Sequence, residues 1–364
     1  MADAPWSDLG EKLDRLAGLL VDRDLDTLVL SDPANLGWLL GCRVNVPQTL
    51  DTACLDIVLD RASTRLRVTI VTNAIEAPRL QDTELVGLTA EWVMVPWWES
   101  RDPVLPSGPR VGADRPRTGT APVADDVAIL RRPLTERQQA QLRHVSQDAA
   151  AAANAAAGAL EPAMSEYRAA ALLARELLVR ELDPIVLMVG GAPRLAAHRH
   201  PLPTSDPLGR RAMLVACGRR HGLVASVTRI VSFDPLGPAE RFAYQRLLLV
   251  EEAFLDATTV GATLGDAFAA GVAAYARHGF DPDEWQRHHQ GGFSGFQPRE
   301  FPATASSSAR LGDGAVVAWN PSGDGWKVED TSLVLASGAE PLVHDDTWPT
   351  IKVGRRMRPD VLLR

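Results

Sequence analysis

Met213–Arg229 reads MLVACGRRHGLVASVTR, two apolar runs separated by the polar, glycine-bearing piece GRRHG. Apolar runs bounded by turn residues are the pattern of buried strands, so a hairpin is expected from Met213 to Val231. The elements around it recur. Upstream lie a helix from Thr135, a second helix from Ser165 to Leu182 and a strand in IVLMV. The first helix opens on a capping box, in which Thr135 takes the amide of Gln138 and the Gln138 side chain returns the bond. Downstream follow a helix from Pro238 to Ala257, another from Thr263 to His278 stopped by Gly279, and a hairpin from Ala315 to Ala336. Two copies of helix, helix, hairpin close as a pseudo-twofold curved sheet covered by helices, with a pocket between the halves. Element order alone carries this reading, because the copies share no residue-level identity.

The N-terminal third is built differently. Leu13, Leu16, Ala17 and Leu20 recur at helical spacing, DLDTLVLSD reads as a turn and a buried strand, and LDIVLDR and RVTIVT add two more strands. This is a small α/β domain. Residues 98–133 turn rich in Pro, Gly, Asp and Arg and are read as a linker, which sets the domains at 1–133 and 134–364. The expected fold class is therefore α+β in two domains.

Of the 364 residues 46% are hydrophobic and 23% charged, the make-up of an ordinary globular protein. A formal net charge of -8 without any Lys/Arg cluster argues against nucleic acid or an anionic membrane as partner. A small-molecule or peptidic partner is expected instead. No apolar run approaches the roughly 20 residues of a membrane span, and MADAPWSDLGEK lacks the basic-then-apolar order of a secretion signal, so a cytoplasmic protein is expected. Cys42, Cys54 and Cys217 are an odd number without metal spacing, which indicates neither a disulfide framework nor a zinc knuckle.

Four polar segments can carry chemistry, and each has a bland alternative. In Arg199-His200-Pro201-Leu202-Pro203-Thr204 two prolines hold an extended loop that fixes His200, unless the histidine is an incidental surface residue. In Arg287-His288-His289-Gln290-Gly291-Gly292 the glycines either let backbone approach a ligand or serve a turn at positive φ. Trp319–Lys327, WNPSGDGWK, is a polar hairpin tip for which turn chemistry suffices, Asp324 included. Glu329-Asp330-Thr331 puts acid at the mouth of a buried strand, where it needs a partner; Arg229, Arg299 or Lys327 can supply the charge.

These segments join in a resemblance that covers almost the whole chain. EKLDRLAGLLVDRDLDTLVLSDPANLGWLLG is similar to the opening of the N-terminal domain of the creatinase, prolidase and Xaa-Pro aminopeptidase family, the pita-bread fold. The Met213–Arg229 hairpin resembles that family's D-x-G-x-x-x-x-G-Y-x-x-D-x-T-R, His289-Gln290-Gly291-Gly292 its H-G-x-G, Asn320-Pro321 its Glu-Pro, and Glu329-Asp330-Thr331 its final Glu-Asp-Thr. The family's two metal-bridging aspartates then fall on Val215, or Ala216 with one slip, and on Ser226. Only His289 and Glu329 remain of five ligand positions, and a pair of hard cations needs several anionic oxygens. The chain is also similar to a metal-less branch carrying RHPxPT, SLTR, HHQGGxxGYxxRE and WNPSxxGxKxEDT, with Phe293, Phe296, Gly323, Asp324 and Trp326 as departures.

The resemblance implies no cofactor and no metal, and a homodimer is the expected assembly. Creatinase has this fold, lacks the aspartates and uses a histidine as acid and base on a guanidino C–N bond. That histidine's segment aligns with Arg199–Thr204, so the resemblance makes His200 the first catalytic candidate, with His289 and Glu329 beside it. Arg199, Arg229, Gln290, Arg299, Glu300, Asn320, Trp326 and Lys327 are the candidate substrate-binding residues. The leading reading is a metal-independent C–N hydrolase, lyase or isomerase. The alternatives are a pita-bread module that binds a peptide or small ligand without turnover, and a hydrolase with a mononuclear metal rebuilt from His200, His289, Glu300 and Glu329.

Overall fold

The computed structural model describes residues 6–46, 50–62 and 65–364. The first five residues of MADAPWSDLGEK lie outside them. The chain divides into two compact units, Met1–Gln138 with His221–Leu223, and Gln139–Arg220 with Val224–Arg364.

The first unit is a six-stranded sheet of β1 (Thr27–Leu30), β2 (Leu55–Arg61), β3 (Leu66–Asn73), β4 (Glu91–Val95), β5 (Val111–Ala113) and β6 (Ala121–Pro122), in the order β4-β3-β2-β1-β5-β6. The helix Leu9–Asp22 buries Leu16, Leu19 and Leu20. Asp32 caps the helix Pro33–Leu40 by accepting from the Ala34 amide. Residues 98–133, expected as a linker, instead supply β5, β6 and the helix Ala124–Leu130, with β5 parallel to β1. Their glycine content reflects packing as well as turns: a Cβ on Gly112 would stand 2.8 Å from both Leu25 and Leu28.

The second unit carries the repeat. Its strands are β7 (Asp183–Gly191), β8 (Arg211–Arg220), β9 (Leu223–Ser232), β10 (Gly291–Phe293), β11 (Phe301–Pro302), β12 (Ala315–Trp319), β13 (Ser322–Gly323), β14 (Trp326–Lys327), β15 (Asp330–Leu335) and β16 (Gly338–Pro341). The main path runs β11-β10-β12-β15-β9-β8-β7. One half is thus the β8–β9 hairpin flanked by β7 and the other the β12–β15 hairpin flanked by β10 and β11, in mirrored order about the β9·β15 junction. The expected hairpins are β8–β9 and β12–β15. The first turns on His221 (φ 56°) and Gly222 (φ 76°), the left-handed pair of a two-residue hairpin loop. The expected helices are Glu136–Gly158, Glu166–Val179, Pro238–Ala257 and Leu264–Arg277. Thr135 and Gln138 exchange their capping bonds at 3.2 Å each, and Gly279 at φ 75° ends the last helix.

Strand parity decides what the junction presents. Asp330 stands opposite Val227, and the Thr228 amide donates to the Glu329 carbonyl at 2.9 Å. Ala225, Val227 and Val231 join the cluster packed by the helices Glu136–Gly158 and Glu166–Val179. Alternation therefore sends Arg229 to that helix-covered face and Ser226 and Thr228 to the other. Asp330 likewise turns toward the helices, and Glu329 turns away from them.

Helix contact in this unit is close at Gly271, where a Cβ would lie well inside contact with the Phe254 ring. Gly271→Ala is expected to lower stability by about 1–3 kcal/mol through overpacking. Gly18→Ala, on an exposed helical site with open space around it, is expected to raise it by about 0.4–1 kcal/mol. Denaturant unfolding of the two variants checks the opposite signs.

Candidate functional site

A buried glutamate, Glu166, fixes the loop that carries His200. It is fully buried and accepts from the Gly191 amide at 2.8 Å and from the Thr204 amide and hydroxyl at 2.9 Å each, and it pairs with Arg194. Pro201 packs onto Gly190, where any Cβ would meet its ring at 2.7 Å. The loop is therefore clamped at both ends of the RHPLPT segment.

The second histidine pair enters from β10. Gly291 (φ 109°) and Gly292 (φ 151°) pass too close to the β12 and β11 backbone to carry a side chain, so these glycines serve the chain's own packing. Gln290 braces the turn: its amide donates to the carbonyls of Trp285 (2.8 Å) and His288 (2.5 Å), and its oxygen accepts from the Tyr275 hydroxyl (2.7 Å). The result brings His200, His288 and His289 together. The Nε2 atoms of His200 and His288 are 3.0 Å apart, and the His289 ring lies 5.4 Å from that of His200 and 4.6 Å from that of His288.

Glu329, 2% exposed, sits in the same neighbourhood, held by Arg299 at 2.5 Å and by Lys327, which also donates to Thr228 at 3.0 Å. Burial alone would raise the Glu329 pKa. The Lys327 and Arg299 charges outweigh it and hold the carboxyl well below the usual range. Desolvation lowers all three imidazoles; Lys327 adds to it at each ring, and Arg299 at His200 and His289. His288 falls to about 2 and His289 to about 4, while His200 falls less. The three rings are thus neutral near pH 7, beside two fixed cations and one carboxylate.

Other candidates lie elsewhere or are already engaged. Arg229, expected to bind substrate, is buried on the opposite face with Asp330 at 2.8 Å, in a network where Arg358 bridges Asp330 (3.2 Å) and Glu251 (2.5 Å). Trp326 is buried against Tyr244 and under the Arg211 guanidinium at 3.8 Å, so it belongs to the core and not to the histidine group. Arg199 pairs with Glu284. Glu300 accepts from the Phe296 amide at 3.2 Å. Asp324 occupies a left-handed turn position (φ 52°) and pairs with Arg246, which fits turn chemistry. Cys217 is buried against Ser226 at 3.2 Å, and burial pushes its thiol up to about 11, which makes it inert. Asn320 is 2% exposed, and its Oδ1 finds no hydrogen-bond partner among the described residues. His288 and Thr228 were not among the sequence candidates; the doubled histidine and the parity of Thr228 with Ser226 are the signals that point to them.

The chain belongs to metallopeptidase family M24, whose profile matches residues 140–336, more than half of its length. No curated protein sequence matches it. Among solved structures it is similar to the prolidase from Pyrococcus horikoshii OT3 (TM-score 0.77, 14% identity, covering 92% of this chain and 99% of that one). It is also similar to the dipeptidase PepE from Mycobacterium ulcerans (0.75, 19%, 98% and 98%). A third match is the N-terminal domain of the FACT complex subunit SPT16 from chickpea, Cicer arietinum (0.66, 12%, 92% and 95%). These likenesses establish the two-domain pita-bread fold.

The residues here do not fit a pair of hard cations at the five ligand positions that the sequence resemblance marks. Val215 and Ser226 offer no carboxylate, and both Glu329 oxygens are engaged by cationic side chains. A different donor set exists, since ligand atoms of His200, His288 and His289 lie within 4.8 Å of one another. A divalent ion there would face Lys327 and Arg299 against one carboxylate that they already neutralise. His200 and His288 are joined by a hydrogen bond, and His289 meets both ring to ring.

Glu329 also links stability to pH. Its folded pKa is depressed, so its contribution is full above the ordinary carboxylate range and declines as pH falls below it. Glu329→Gln leaves the buried Lys327 and the part-buried Arg299 without their partner and is expected to cost about 3–5 kcal/mol at neutral pH. Urea melts of variant and wild type from pH 7 to pH 3 check this: the gap should narrow in acid.

Proposed function

We propose that this M24 chain is a hydrolase working without the family's metal pair, with His200 as acid and base at a C–N bond of a small carboxylate-bearing substrate. The observation that carries the reading is the clasp of Lys327 and Arg299 on Glu329 beside three neutral imidazoles. An unprotonated His200 accepts a proton from water as oxygen adds to the carbon, then returns it to the departing nitrogen. Lys327, Arg299 and Glu329 sum to one positive charge, which suits a substrate carboxylate. His289 stands 5.4 Å from His200, ring to ring, and donates to charge that develops on the substrate. Asn320 Oδ1 is a buried acceptor without a partner among the described residues, and a substrate N–H is the proposed donor to it. We take the protein to be a cytoplasmic homodimer.

The test is a panel of amide- and guanidino-bearing carboxylates assayed with and without chelator. Turnover is expected to be unaffected by chelation, and Xaa-Pro dipeptides are expected to stay intact even with added manganese. His200→Ala should then lose activity by about 100-fold or more while its melting temperature stays close to wild type. The rate should rise with pH through a midpoint below the ordinary histidine value of about 6.5, because burial and Lys327 disfavour the imidazolium. Glu329→Gln should move that midpoint lower still, since the carboxylate favours the charged ring. Binding without turnover would support the ligand-binding alternative, and metal-stimulated release of proline would overturn the proposal.

A further inference from the structure

Two imidazoles that meet Nε2 to Nε2 cannot both carry a proton there, nor can both lack one and still bond. The 3.0 Å contact between His200 and His288 therefore forces one of the neutral rings into its Nδ1–H form. That form needs an acceptor at Nδ1. For His288 the protein provides one: the Ser322 hydroxyl lies 3.2 Å from its Nδ1. Ser322 is itself fixed, because its amide donates to the Tyr275 hydroxyl at 3.0 Å and Tyr275 donates to Gln290. His288 is buried and depends on that partner, whereas His200 is exposed and its Nδ1 meets no protein acceptor among the described residues.

We infer that His288 is the positioning residue for His200, its Nδ1–H donating to Ser322 and its Nε2 accepting from His200 Nε2–H. His200 Nδ1 is then left with a free lone pair, and this is the atom that takes the substrate-side proton. When that proton arrives, His200 becomes doubly protonated and its Nε2–H bond to His288 strengthens, as a charge-assisted bond does. His288 does not exchange protons with the substrate. The inference deepens the reading of His200 as the base and rests on it for function, but the hydrogen-bond direction stands independently.

Long-range proton–nitrogen NMR of the full-length, 15N-labelled protein at neutral pH tests the direction without any substrate, with His200→Ala and His288→Gln used to assign the two rings. The expected result is His288 in the Nδ1–H form, which free histidine disfavours, and His200 in the Nε2–H form. The reverse pair, His288 as Nε2–H and His200 as Nδ1–H, would overturn the inference even if His200→Ala proved inactive. Ser322→Ala adds a second readout, in which the Nδ1–H form of His288 should fall from dominant to minor. An unchanged His288 tautomer in that variant would also overturn it. Once a turned-over compound is found, His288→Phe should lower kcat at least 10-fold with KM unchanged, and His288→Gln, whose oxygen can accept from His200, should restore most of the rate. A protein with the expected tautomers but no turnover on any compound would leave the relay intact and remove the hydrolase reading alone.

Discussion

A carboxylate buried as deeply as Glu329 must be neutralised, and in this chain two side chains do it. Lys327 and Arg299 take both of its oxygens, and Thr228 ties Lys327 back to the neighbouring strand. The arrangement engages both Glu329 oxygens with cationic side chains. It also bears on the histidines, all of which are shifted toward the neutral form by desolvation and by Lys327, with Arg299 acting on His200 and His289. Removing either side of the clasp would leave buried charge unpaired, the most costly defect a core of this kind can carry.

The fold makes the clasp possible through strand parity at the one junction between its halves. Thr228 and Glu329 turn away from the helices Glu136–Gly158 and Glu166–Val179, whereas their sequence neighbours Arg229 and Asp330 form a separate buried network with Arg358 and Glu251. Two ion networks of adjacent residues are thus kept apart by a single step along each strand. Glu166 and the Gly190–Pro201 contact hold the His200 loop from one side. The Gln290 brace holds the histidine pair from the other. The precision of the 3.0 Å imidazole contact comes from these supports.

Much of this was legible in the residues. The capping box at Thr135, the four helices and both hairpins follow from local chemistry and periodicity, and the repeat followed from their order. Residues 98–133 were misread because proline and glycine mark turns, while the packing need at Gly112 arises only once β5 lies beside β1. The grouping of His200, His289, Glu329, Arg299 and Lys327 came from aligned motifs; spacing alone would not have brought residues a hundred positions apart together. Motif membership alone groups Arg229 with the site, and strand parity separates it. Trp326 was assigned there from the hairpin tip, although tertiary packing against Tyr244 decides its place. His288 escaped notice because its role depends on a contact across the fold, 88 residues away in sequence.

The central question for this protein is whether cationic side chains have replaced the metal pair. Equilibrium binding of Mn(II), Co(II) and Zn(II) to the dialysed protein, with elemental analysis of the same preparation, addresses this directly. The account predicts no stoichiometric metal in the isolated protein and no saturable site at micromolar concentrations. One or more equivalents retained through dialysis and lost in Glu329→Gln would contradict it.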